Sequence, residues 1–62
     1  MSTYTAVATP AETPGWFLLH VPEIDQWTQA RNDAEVEPMA RDLIATWLDV
    51  PISDVQVVVS RS

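Results

Sequence analysis

Cysteine and lysine are absent from this 62-residue chain, and glycine and histidine occur once each. Without cysteine there is no disulfide to compensate for small size, and a single histidine excludes any Cys/His zinc cluster. One glycine is too few for a phosphate-cradling loop. The only cations are Arg31, Arg41 and Arg61, scattered along the sequence. Such a chain does not neutralise a run of phosphates, so no direct nucleic-acid binding by one protomer is expected. No apolar run approaches the roughly 18 residues of a spanning helix, and the opening residues lack the basic and apolar regions of a signal peptide. The expectation is a soluble, cytoplasmic protein that makes no membrane contact.

What the chain does have is acid and grease. Nine Asp and Glu residues give a formal charge of −6, and 47% of residues are hydrophobic. The apolar content argues against disorder, and the acidity directs any electrostatic steering towards a basic partner. Residues 1–62 make a single domain. A domain of this length buries only about 60% of the surface its unfolded form exposes, and oligomerisation is the remaining way to gain more.

The strongest periodic signal runs from Asn32 to Leu48. Val36, Met39, Ala40, Leu43, Ile44 and Trp47 fall in one arc at about 100° per residue, while Glu35, Pro38, Arg41, Asp42 and Ala45 turn away from it. Asn32 is a good N-cap, with Glu35 placed as the acid of a capping box. Asp33, Glu35 and Glu37 set negative charge at the positive end of the helix dipole. Pro38 in the first two turns implies a later start, near Glu35, or a kinked first turn. Val50-Pro51 is expected to end the helix.

Strands surround it. Thr3 to Thr9 alternates threonine and valine with tyrosine and alanine, and Pro10 to Gly15 reads as a turn. Trp16 to Val21 has Trp16, Leu18 and His20 on one face and Phe17, Leu19 and Val21 on the other. A strand wet on one side alternates apolar with polar; this one is apolar on both, so both its faces need cover. One helix covers one face. The other needs a partner chain, or terminal segments folded over it. Pro22 to Asp25 is a loop, Gln26 to Ala30 a short strand, and Val55 to Ser60 the last strand, with Val55, Val57 and Val59 sharing a face. The order is α+β: a two-layer β-β-β-α-β arrangement in which a three-stranded antiparallel meander is joined by a fourth strand parallel to the first, with one helix on one face.

No catalytic constellation emerges. No nucleophile motif surrounds any serine, and His20 lies in the apolar strand as a structural or interface residue rather than a general base. Glu23 and Asp25 are too few oxygens for a calcium loop. Neither an enzyme activity nor a cofactor or metal is expected.

Several stretches carry a resemblance. Tyr4-Thr5-Ala6-Val7, Gly15-Trp16 leading into Val21-Pro22-Glu23-Ile24, Thr28-Gln29-Ala30-Arg31, and a helix containing Met39-Ala40-Arg41-Asp42-Leu43-Ile44 resemble the N-terminal domain of the HicB antitoxin family, the short actinobacterial type most. Nearly the whole chain takes part. The resemblance implies a partial RNase H-like β-β-β-α-β fold without the catalytic acids, which oligomerises and masks a small basic mRNA-cleaving toxin. Asp25-Gln26-Trp27 stands where the family commonly has glycine and cysteine. No C-terminal DNA-binding segment follows the last strand, so autorepression is not expected.

These readings converge on a non-catalytic protein-binding module of a toxin–antitoxin system. The alternatives are a structural or assembly homo-oligomer and an acidic accessory subunit, with a phage as a candidate source of either. The candidate interface residues are Trp16, Leu18, His20 and Trp27, provided the helix takes the Phe17, Leu19 and Val21 side. Trp27 either fills the core, the commoner fate, or stands exposed, where a tryptophan is an anchor for a partner.

Overall fold

The computed structural model describes residues 2–61. Strands β1 (Ser2–Pro10), β2 (Phe17–Val21) and β3 (Gln26–Ala30) precede helix α1 (Val36–Leu48), and β4 (Val55–Arg61) follows it. Short 3-10 turns at Asp33–Glu35 and Ile52–Asp54 flank the helix. The strands form one sheet in the order β3-β2-β1-β4. β1 and β2 pair antiparallel, as do β2 and β3, and β4 lies parallel to β1. This is the expected α+β topology, with β1 and β2 in the centre.

The helix boundaries differ from expectation for identifiable reasons. Asn32 does cap, its Oδ1 accepting the Glu35 N–H at 3.0 Å, but what it caps is the 3-10 turn. Glu35 reaches back one residue further than a capping box requires. Its Oε1 accepts the Arg31 N–H at 3.1 Å, and the carboxylate also meets the Arg31 guanidinium. The α-helix starts at Val36, which makes Pro38 its third residue. The first N–H groups of a helix have no internal partner, so proline forfeits nothing there. At the other end Asp49, not the Val50-Pro51 step, closes the helix. It adopts φ 57°, ψ 50°, and the Asp49 and Val50 N–H groups return to the carbonyls of Thr46 and Ala45. That is a Schellman ending with aspartate where glycine is usual.

The core lies between α1 and one sheet face. Ala6, Ala8, Leu19, Val21, Ala30, Val36, Ala40, Ile44, Ala45 and Val55 are buried, with Tyr4, Phe17, Met39, Leu43, Val57 and Val59 packed round them. Half of the ten are alanines, which lets the layers approach closely but leaves little apolar volume. Two helix positions depart from the sequence reading. Ala45, expected to face away, is buried, because the chain returning through the Ile52–Asp54 turn packs against that flank. Trp47 lies within the apolar arc, yet in the last turn it is 56% exposed.

Strand limits shift slightly as well. β1 extends to Ser2 and Pro10, β2 begins at Phe17 rather than Trp16, and Arg61 belongs to β4. Arg61 is held by an ion pair with Asp33, and its guanidinium lies 5.4 Å from the Phe17 ring centroid. Of the two residues expected to trail after the last strand, Ser62 lies outside the described residues.

Candidate protein-binding face

The helix takes the Phe17, Leu19 and Val21 side of β2; Leu19 and Val21 are fully buried beneath it. Leu18 and His20 therefore point to the opposite face. Among the described residues no second layer covers that face. The chain ends do not fold over it either, since residues 2–10 and 55–61 are themselves strands of the sheet.

Strand register decides what assembles there. The β2–β3 loop spans Pro22 to Asp25, with the Ile24 N–H bonded to the Val21 carbonyl and the Asp25 N–H to the Pro22 carbonyl. Asp25 takes a left-handed φ of 51° and delivers Gln26 opposite Val21. His20 is consequently opposite Trp27, and on its other side opposite Val7. The His20 and Trp27 rings stack, with centroids 4.0 Å apart and planes 12° from parallel. His20 Nε2 also lies 3.4 Å from Asp25 Oδ1. Trp27 nonetheless remains 55% exposed. Leu18 faces Thr9 on β1 and Gln29 on β3, and Val58 of β4, 56% exposed, stands on the same side beside Thr5.

The centre of this face is thus Trp27, His20, Val7 and Leu18, bordered by threonines and glutamine. Trp16, just before β2, stands at the rim. It lines an open recess with Leu18, Gln29 and Glu12 on the sheet side, and a second with Thr28 and Met39 towards the helix. Of the four candidate residues, three share the open face and the fourth marks its corner. Val7 and Val58 were missed. Val7 could have been found by counting back across the β1–β2 turn from His20; Val58 depends on which strand the helix returns to.

Comparison with protein-family models, with curated proteins and with solved structures found no match.

The charge pattern is one-sided. Each arginine is committed to an acid near the start of the helix: Arg31 to Glu35 at 3.3 Å, Arg41 to Glu37 at 2.5 Å, and Arg61 to Asp33. The Arg31 contacts hold the Glu35 carboxyl below its ordinary range. The six other acids, Glu12, Glu23, Asp25, Asp42, Asp49 and Asp54, have no arginine partner, which is the origin of the net −6. Glu12 lines the recess beside Leu18, and Asp25 lies beside His20, so an acid stands at each end of the β2 part of this face. Glu23 and Asp25 do not converge on a common point. Glu23 Oε2 accepts the Thr5 N–H at 3.0 Å, beyond the end of β2, while Asp25 faces His20. Among the described residues no three His, Asp or Glu side chains gather as metal ligands, and no helix is long and apolar enough to cross a membrane.

Proposed function

We propose that the chain is a non-catalytic protein-binding module of HicB antitoxin type, which masks a small basic mRNA-cleaving toxin with its helix-free sheet face. The observation that carries this reading is the row of exposed Trp27 and half-buried His20 and Val7, with half-buried Leu18 beside it, on a sheet face that no described layer covers and whose other side is roofed by α1. A stacked aromatic pair is a rigid, partly apolar anchor of the kind that dominates binding energy at the centre of an interface. The acids beside Leu18 and His20, Glu12 and Asp25, complement a basic partner and speed its encounter, while the apolar centre supplies the lasting contact.

The test is to see whether a neighbouring reading frame encodes a small basic protein and to co-express the chain with it. Formation of a complex that restores growth, and loss of that complex with Trp27→Ala, is the expected result. Failure of every such neighbour to bind or to be neutralised removes the antitoxin reading. The assembly reading, in which the homo-oligomer is itself the product, draws on the alanine-rich core and short chain, and sedimentation tests it.

A further inference from the structure

We propose that β4 is a self-pairing edge, through which two copies of this chain join antiparallel with Val58 opposite its own counterpart. The two four-stranded sheets then become one of eight strands. This differs from the toxin-binding reading in its main contact, the backbone rim of β4, although the Val58 side chain itself projects from the open face.

β4 is the outermost strand on one side, and its seven residues pair with β1 without interruption from Ser2–Val55 to Ala8–Arg61. Apart from β1, no described strand lies alongside it. Exposed edges are ordinarily protected by proline, lysine, bulges or inward charge. Val55–Arg61 has no proline, lysine, acid or bulge, and its one cation is held by Asp33 and Phe17. In a chain of net charge −6, repulsion between copies is least at a strand with no acid.

The residue order also selects a second copy as the occupant. Read backwards about Val58, the central five residues of β4 repeat their own polarity: Val57 meets Val59 and Gln56 meets Ser60, and only the end pair, Val55 and Arg61, departs from it. In a two-fold antiparallel pair each of these lies opposite the other, and Val58 lies opposite Val58 on the open-face side. A two-residue slip sets Gln56 against Val58, and a one-residue slip sends the helices to opposite sides, so the pattern specifies one register. The other rim does not behave this way. Reversing β3 about Thr28 sets Trp27 against Gln29. Geometry permits the pairing too. Glu35 and Met39 lie near Thr28 of β3, whereas the last turn of α1 leads into the start of β4, so the helix crosses the sheet diagonally. The two-fold thus sets the start of β4, into which α1 leads, opposite the far end of the partner's β4. Strand addition alone buries less than the about 1,200 Å² of a standard interface, so the dimer depends on concentration.

The test uses the full chain. Sedimentation is expected to give twice the 6.9 kDa of one chain at high micromolar concentration. Val58→Lys, which sets like charges face to face at an exposed position, is expected to give the single-chain mass with an unchanged circular dichroism spectrum. Trp27→Ala is expected to keep the dimer. The absence of native cysteine makes register directly readable. Opposed residues have Cα atoms within disulfide reach, so Val58→Cys is expected to cross-link on oxidation. Gln56→Cys is not, its counterpart being about 13 Å away along the strand, while a mixture of Gln56→Cys and Ser60→Cys chains is. A wild-type monomer at high concentration, or Val58→Cys that cross-links no better than Gln56→Cys, overturns the proposal. Loss of the dimer with Trp27→Ala but not with Val58→Lys overturns it as well, by locating the contact on the open face.

Discussion

His20 and Trp27 sit opposite each other on neighbouring strands with rings stacked at 4.0 Å, on the side of the sheet the helix does not reach. The pair holds the indole in place while leaving over half of the residue accessible. A side chain fixed before binding loses less freedom when a partner arrives. Trp27→Ala should therefore weaken partner binding by about 2 kcal/mol, roughly thirtyfold. Its effect on unfolding in urea should be less than about 1 kcal/mol, because little of the ring is buried. Titration calorimetry and denaturation of the same variant check both halves.

Ile44 presents the opposite case. It is fully buried in a core in which every second residue is alanine. Ile44→Ala should cost about 2–5 kcal/mol, against a total stability of about 3–9 kcal/mol for a domain of this length. Extensive unfolding at 37 °C, read by circular dichroism, is the expected outcome. Trp47→Ala, one turn further on and exposed, should leave the melting curve nearly unchanged.

Asp49 closes the helix in a left-handed conformation and sets an acid at the negative end of the dipole. Both features oppose stability. Asp49→Gly relieves them and should stabilise the fold by about 1 kcal/mol, seen as a higher urea midpoint with unchanged slope.

Acid should act through Glu35. Hydrogen bonds from the Arg31 side chain and backbone hold its carboxyl below the ordinary glutamate range. A carboxyl lowered on folding contributes stability that is fully present above its unfolded value and is lost as pH falls through the folded one. Melting temperatures of wild type and Glu35→Gln should therefore differ at neutral pH and converge below about pH 4. Parallel curves across that range would count against Glu35 as the group responsible.

Much of this architecture is legible in the residues, and the exceptions share a cause. Periodicity reports the angle of a side chain around the helix axis, which is why Val36, Ala40 and Ile44 are correctly placed inside. It carries no information on what covers each level of the helix. Trp47 has the right angle at an uncovered level, and Ala45 has the wrong angle beneath a returning turn. The two-sided apolar character of Trp16 to Val21 likewise leaves open which set the helix would take. Register from the four-residue turn places His20 beside Trp27 by counting alone. The stacking itself, and the approach of Asp25, require the left-handed residue that ends the turn.

Thr3 and Gln56 are neighbours across β1 and β4 although 53 positions separate them in the chain. Closing so wide a loop costs entropy before any contact rewards it. The sheet is therefore completed by β4, which a ribosome makes after the other three strands, and removing β4 would strip one side of β1. During synthesis β1 waits with that flank open, so its threonine-rich sequence, easily solvated, suits the delay as well as the finished sheet.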